Sequence, residues 1–167
     1  MNSEPFAPAA RKYPVRPHNR RMAKRVARRA HVDGEGSVAV AFTYNNLATM
    51  LVLGFFEDVL TFVPVIGSYF EIAFSILAFY FHRIVLVTDQ NVYVFRDWPF
   101  HFPGKLLMKD RRGPGVVRIG EPSAALFMRC IRRGQLTFRD ETIVYHSMIY
   151  IRRARYIAQE ANLPAGQ

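Results

Sequence analysis

The stretch RIVLVTDQNVYVFRDW, residues 83–98, decides how this chain folds. Two runs of β-branched and aromatic residues flank the short polar sequence TDQN, residues 88–91. Branched and aromatic side chains favour extended strands, whereas Asp and Asn favour tight turns because their side chains hydrogen-bond to nearby backbone. The pattern therefore predicts a β-hairpin that turns at Asp89–Asn91.

Further short apolar runs surround this hairpin, separated by turn residues, and one alternating run, SVAVAFTY, lies upstream at 37–44. Runs at this spacing predict an antiparallel sheet, curled or sandwiched. The later runs are 105–110, 115–120, 125–131, 135–138 and 142–146, and a loop is predicted at 98–104. The last stretch, 147–164, predicts a helix that Ser147 begins and Pro164 ends. Its apolar stripe would close one end of the sheet and comprises Tyr150, Ala154, Ile157 and Ala161.

Strands followed by one C-terminal helix are the layout of the pleckstrin-homology-like (PH-like) domain. Residues 83–95 resemble the hairpin of bacterial PH-like proteins, and residues 116–146 resemble the later half of uncharacterised, mostly actinobacterial membrane proteins. The resemblance spans residues 34–163 and implies a membrane-attached binding scaffold without catalysis. The chain departs from that group in its long basic N-terminus and at TDQN, where the group has basic residues after Asp89, so phosphoinositide binding is not carried over.

Residues 45–82, between the first strand and the hairpin, form the most apolar part of the chain. No Lys or Arg occurs between Arg29 and Arg83, as expected of a membrane insert, where such a residue costs roughly 2.5–3.5 kcal/mol. Pro64 and Gly67 would bend the segment into a membrane helical hairpin of two short helices. A single span over residues 59–81 and a soluble helical core are the alternatives.

Basic flanks on both sides of this segment predict a plasma-membrane location with both termini cytoplasmic. Three carboxylates, Glu57, Asp58 and Glu71, would then lie in or near the membrane. Membrane acids suggest a proton site or a partner contact. A position at the headgroup boundary or in a self-association face is the plainer interpretation.

The net charge of +10 and the pI of about 10.3 favour anionic partners. Residues 1–18, with four prolines, predict a disordered tail, and residues 19–31 predict a basic helix that lies on anionic lipid, with Met22, Val26 and Ala30 as its apolar stripe. The candidate lipid or anion contacts are Arg20, Arg21, Lys24, Arg25, Arg28, Arg29, Arg111, Arg112, Arg132 and Arg133. Trp98, Phe100 and Phe102 are candidate interfacial aromatics, or else cover the sheet edge.

No residue pattern in the sequence indicates an enzyme. The five histidines lack metal-ligand spacing, Cys130 lies in an apolar run that favours packing, and neither a nucleophile elbow nor a phosphate-binding glycine loop occurs. We therefore expect no cofactor, no metal and no catalytic residue.

The fold class expected is α+β: an apolar membrane helical hairpin, then a PH-like antiparallel sheet or barrel (37–44 and 83–164) with a C-terminal helix. The expected function is a membrane-anchored, non-enzymatic adaptor or accessory subunit whose partners are anionic membrane lipids and another membrane protein or a second copy. A soluble basic nucleic-acid-binding protein is one alternative, although the chain lacks a recognisable nucleic-acid motif. A proton-coupled membrane component using the three acids is the other.

Overall fold

The computed structural model describes residues 16–32, 34–48, 50–52, 82–98, 102–120, 134–146 and 151–166. Within these residues the chain is α+β, with seven strands in one antiparallel sheet and two assigned helices. The strands are β1 Ser37–Tyr44, β2 His82–Thr88, β3 Asn91–Trp98, β4 Phe102–Arg111, β5 Val117–Ile119, β6 Gln135–Phe138 and β7 Ile143–Tyr145. The helices are α1 Pro17–Arg29 and α2 Ile151–Asn162. The strand order is β4-β3-β2-β1-β7-β6-β5, an arrangement compatible with a barrel-like domain.

The predicted hairpin is confirmed as β2 and β3, which pair from Val87↔Val92 to Arg83↔Arg96. Its turn is held by the Thr88 hydroxyl, which accepts a hydrogen bond of 2.8 Å from the Asn91 backbone N–H. The predicted strand at 37–44 is confirmed as β1.

The later strands are confirmed as β4, β5, β6 and β7, with shorter bounds at β5 and β7. The predicted loop 98–104 was wrong at both ends because Trp98 pairs with Phe102 and prolongs β3 and β4. The predicted strand at 125–131, which includes Cys130, lies outside the described residues.

The central strands are buried on both faces, since successive side chains of a strand point to opposite sides. One face packs against α2 residues such as Ile157 and comprises Ala39, Ala41, Val85, Val87, Val92 and Val94. We call it the inner face. The opposite, outer face packs against α1 and comprises Val40, Ile84, Leu86, Tyr93 and Phe95.

Helix α1 begins at Pro17, whose missing N–H is not needed in the first turn of a helix. It ends where His31 adopts the left-handed conformation at φ +51° and Val32 N–H bonds the Ala27 carbonyl at 3.1 Å. This is the hydrogen-bond pattern of a Schellman cap. The predicted basic helix is confirmed, and the predicted disordered tail was wrong at residues 17 and 18, which are helical.

Helix α2 is the predicted C-terminal helix, and Ala154, Ile157 and Ala161 of its stripe are buried as expected. Tyr150 lies outside the described residues. At its end the Asn162 amide bonds both the N–H and the carbonyl of Val117, at 3.0 and 2.7 Å, and so fixes α2 to β5.

The apolar segment begins in a helical turn, in which residues 47, 48 and 50–52 are described. Met50 is buried there against Tyr44. None of the described helices has both the length and the apolar character needed to cross a bilayer. Residues 53–81, which hold most of the predicted membrane hairpin, lie outside the described residues, and the predicted boundary at 82 was wrong because His82 is the first residue of β2.

Candidate functional site

Four neighbouring strands begin or end on the same side of the sheet, which we call the basal end. There β1 stops at Tyr44, β2 starts at His82, β3 stops at Trp98 and β4 starts at Phe102. The pairs Tyr44↔His82 and Trp98↔Phe102 hold these ends side by side. The apolar segment 45–81 therefore leaves and re-enters the sheet at the basal end. The opposite ends of the strands, where the 88–91 turn joins β2 to β3, form the apical end.

Two predicted interfacial aromatics lie at the basal end with much of their surface in solvent. Trp98 is 51% exposed and Phe102 is 46% exposed. The Trp98 ring lies across the backbone of Gly104, where an added Cβ would overlap the indole. The Arg29 guanidinium stacks 4.0 Å above the Phe102 ring. Phe100 lies outside the described residues.

A polar row runs along the outer face at the basal end. Tyr44 meets the His82 ring edge-on, with 4.9 Å between the ring centroids. His82 Nδ1 lies 3.9 Å from Oδ2 of Asp97, a carboxylate that is only 2% exposed. This row places an acid on the outer side of β3.

A second row, on the inner face, brings two arginines together. Thr43 pairs with Arg83 and Arg83 pairs with Arg96, so all three side chains project to one side of the sheet. Burial lowers the pKa of Arg83, and the neighbouring charge of Arg96 lowers it further. The buried Arg96 Nε has no hydrogen-bond partner within the described part of the chain. We call Arg83 and Arg96 the arginine pair.

The cationic residues of α1 face solvent. All six candidates on this helix are exposed: Arg20, Arg21, Lys24, Arg25, Arg28 and Arg29. The predicted apolar stripe does not face lipid, because Val26 is 1% exposed and packs with Met22 and Ala30 on the outer face of the sheet. Asn19 fixes the helix further, since its amide bonds both the N–H and the carbonyl of Val40 at 3.0 and 2.7 Å. Helix α1 is thus a layer of the domain with a basic outer surface.

The two candidates at the end of β4, Arg111 and Arg112, have different environments. Arg111 is exposed and lines a shallow groove of about 420 Å³ at the apical end. Arg112 was predicted as a surface anion contact, and this was wrong. It is 3% exposed and donates to the Glu160 carboxylate at 2.9 Å and to the Thr88 carbonyl at 3.2 Å. Its charge is therefore neutralised inside the core of the domain.

The remaining candidates, Arg132, Arg133, Glu57, Asp58 and Glu71, lie outside the described residues. Across the described part of the chain no three His, Cys, Asp or Glu residues are grouped so that they could hold a metal ion.

Sequence reasoning missed a polar cluster at the apical end. The Glu35 carboxylate accepts hydrogen bonds from the Thr88 hydroxyl at 2.5 Å, from the Asn91 amide at 2.7 Å and from the Tyr93 hydroxyl at 2.7 Å. Burial alone would raise the pKa of Glu35, but these bonds and the charge of Lys109 outweigh it and lower that pKa. Burial, together with Glu35, raises the pKa of Tyr93. The cluster ties the turn before β1 to the β2–β3 hairpin.

The arginine pair was also missed, although the sequence carries a signal for it. Positions 83, 85 and 87 share a face, as do 92, 94 and 96, and the arginines alone break these apolar rows.

Comparison with known proteins gave no match: no family model, no curated protein and no solved structure is similar to this chain. Function must therefore be argued from the site itself.

Proposed function

We propose that this chain is a membrane-associated, non-enzymatic binding protein whose domain rests with its basal end against an anionic bilayer. One observation carries the proposal. The segment 45–81 departs from and returns to the basal end, where Trp98 and Phe102 are exposed. Trp in particular is enriched where membrane meets water, because its ring is apolar and its N–H is polar.

Electrostatics supports the same orientation. Arg29 of α1 lies over Phe102, so the cationic surface of α1 continues into the exposed aromatics of the basal end. A basic residue near an anionic membrane surface contributes about 1 kcal/mol of attraction. Because α1 is packed on the sheet, its backbone is already ordered and binding does not have to fold the helix.

The assignment to the PH-like class is part of this proposal. The antiparallel strand order and a C-terminal helix against the inner face support it. A domain of this kind would act as an adaptor or accessory subunit at the cytoplasmic side of the plasma membrane, and another membrane protein or a second copy would be its protein partner.

Membrane insertion is tested by alkaline carbonate extraction of membranes from cells that make the full-length chain. The proposal expects the chain in the pellet, because an inserted apolar segment resists extraction. Protease accessibility of both termini in the same vesicles tests the cytoplasmic orientation. Recovery in the supernatant would overturn the membrane-inserted form of the proposal.

The role of the basic surface is tested by flotation of the full-length chain with neutral or anionic vesicles. We compare Arg20→Gln/Arg21→Gln/Lys24→Gln with a matched control, Arg118→Gln/Arg139→Gln/Arg152→Gln, which removes three exposed cations outside α1, on β5, in the turn after β6 and on α2. The α1 variant should lose about 3 kcal/mol of the preference for anionic vesicles, and the control should keep it. An equal loss of this preference in both variants would show that vesicle binding depends on the net charge of the chain and not on the position of α1.

Nucleic-acid binding is the second candidate, and the exposed cations of α1 are the observation that favours it. It predicts an affinity for DNA or RNA that falls steeply with salt, together with a chain that carbonate releases from membranes. The extraction experiment therefore separates the two candidates.

A further inference from the structure

The outermost strands of the sheet, β4 and β5, each have one edge that no other strand pairs within the described residues. Such an edge presents backbone N–H and C=O groups that can bind a further strand, and folded proteins usually cover or interrupt it. The edge of β5 is covered, because the Asn162 amide bonds both the N–H and the carbonyl of Val117. The Asn19 amide does the same for Val40 of β1, a strand that β7 pairs only at Tyr44. Asparagine amides of the two helices therefore occupy edge groups that the strands leave free.

The outer edge of β4 has no such cover in the part of the chain that the structure describes. The strand is ten residues long, and all its paired residues belong to β3. Among its described backbone groups, the Arg111 N–H alone meets a side chain, the Asp110 carboxylate, at 2.7 Å. This contact lies at the last residue of the strand, so residues 102–110 keep an open edge.

Two large apolar side chains lie on this strand in contact with solvent. Leu106 is 45% exposed and Leu107 is 39% exposed, whereas Met108 is buried. Leu106 pairs with Phe95 and Met108 pairs with Val94, so the register passes over Leu107. A strand added beside β4 would cover both leucines together with the free backbone groups, and burial of apolar area stabilises a complex.

The charges of β4 favour an acidic partner. Lys105, Lys109 and Arg111 are exposed, whereas the one acid of the strand, Asp110, lies 3.4 Å from Arg139. Within the described residues, neither Lys105 nor Arg111 forms an ion pair. A second copy of this chain would bring the same excess of positive charge to this edge, so electrostatics opposes the pairing of β4 with itself.

We propose that the outer edge of β4 binds an extended segment of a partner protein that is rich in acidic and apolar residues. The segment lies beside β4 as a further strand, so that its backbone bonds the open edge and its apolar side chains cover Leu106 and Leu107. Its carboxylates contact Lys105 and Arg111. The inference names the chemistry of the protein partner and rests on the binding function proposed above, but it does not require insertion into the membrane.

The test uses the full-length chain purified in neutral detergent micelles. The probe is a pool of peptides of about eight residues, composed of Glu, Val, Leu and Tyr. Amide hydrogen exchange is measured by mass spectrometry over residues 102–110. At ten times the dissociation constant of the pool, the fast-exchanging amides of this edge should exchange about tenfold more slowly.

A second pool separates strand pairing from charge attraction. It contains Pro in place of Val and Leu, which keeps the acidic charge but removes many of the backbone donors that a strand needs. This pool should leave the exchange of β4 unchanged. Equal protection by both pools would overturn the inference, because charge alone would then attract the peptides.

Variants assign the response to β4. Lys105→Glu/Arg111→Glu reverses two exposed charges and should weaken binding of the first pool at least about tenfold. The matched control, Arg20→Glu/Lys24→Glu, makes the same change of charge on α1 and should leave the protection of β4 intact. The thermal unfolding midpoint shows that each variant is folded.

Three further results would overturn the inference: no protection of β4 by the first pool, undiminished protection in the β4 variant, or an equal loss in both variants. In a separate series, phosphatidylglycerol is mixed into the micelles. Protection of β4 by this lipid, without protection by the peptides, would assign the edge to the bilayer and would also overturn the inference.

Carbonate extraction reports the membrane function independently. A chain released by carbonate that still binds the first pool would retain the β4 site and lose membrane insertion. A chain that stays in the pellet and does not bind the pool would keep the proposed membrane association and lose the β4 site.

Discussion

The two ends of the sheet handle charge in opposite ways. At the apical end, Glu35 accepts three side-chain hydrogen bonds and Arg112 is paired with Glu160 inside the core. At the basal end, Arg83 faces Arg96 across the hairpin, and two large aromatic side chains are about half exposed. The apical groups complete the domain's own structure. At the basal end, the neighbouring arginines and the exposed aromatic rings do not serve the packing of the domain in this way. We expect such residues on a surface that contacts another molecule.

The largest effect should come from breaking the apical ion pair. Arg112→Met leaves Glu160 buried without its cation, and we expect the free energy of unfolding to fall by about 3–5 kcal/mol. Urea denaturation of the detergent-solubilised chain measures it. Arg111→Met, one residue away and exposed, is the matched control and should change stability by less than about 0.5 kcal/mol.

The double variant Arg112→Met/Glu160→Met sharpens this result. Replacing a buried pair by apolar side chains is often close to neutral, so much of the loss should be recovered. If Arg112→Met were as stable as the starting protein, the ion pair between Arg112 and Glu160 would not be what stabilises the apical end.

A smaller effect should follow from Glu35, and it depends on pH. Its pKa is lowered in the folded state, so its contribution is present above the ordinary value of 4.5 and is lost as pH falls through the lowered folded value. Glu35→Gln should cost about 1–2 kcal/mol at pH 7, because solvent screens part of the interaction.

Unfolding free energies at pH 7 and below pH 4.5 measure this dependence. The difference between the starting protein and Glu35→Gln should shrink as the pH falls below 4.5. A constant difference across that range would mean that the carboxylate charge contributes nothing. Glu141→Gln, the same change at an exposed carboxylate elsewhere, serves as the control.

The smallest effect on stability should come from the basal aromatics. Trp98→Ala/Phe102→Ala should change the free energy of unfolding by about 1 kcal/mol or less, because both side chains are half exposed. The same variant should nevertheless reduce flotation with vesicles, since it removes aromatic area from the proposed membrane contact. Ile143→Ala, also exposed but on β7, is the comparison. If flotation of this variant did not change, Trp98 and Phe102 would not be part of the membrane contact.

The strands were predictable because their signals are local. TDQN between two branched runs fixes the β2–β3 hairpin, and alternation in 37–44 fixes β1. The packing of α1 was not predictable, because two of its buried contacts, Ala23 and Ala27, are too small to stand out as an apolar stripe. Small residues nevertheless allow a close approach to the sheet.

Of the site, the exposed cations and two aromatics could be named from sequence, whereas the pairing of Arg112 with Glu160 could not. Arg112 sits in a turn that resembles any solvated basic turn, and its acid lies 48 positions further along the chain. The arginine pair exists only through the register of β2 with β3. That register follows from the predicted turn of the hairpin, whereas the pairing of Arg112 with Glu160 depends on which distant elements meet, and short-range patterns do not fix that.

The pairing of Tyr44 with His82 has a consequence for how this domain tolerates change. Because the sheet itself holds Tyr44 beside His82, the intervening stretch has only to join two neighbouring strand ends. A two-residue Asn-Gly link has the geometry to replace residues 45–81 and keep the alignment of β1 with β2, at the cost of the contact between Met50 and Tyr44. Residues 45–81 are in this sense an insertion between two paired strands. The shortened variant would be suitable for crystallisation or NMR spectroscopy.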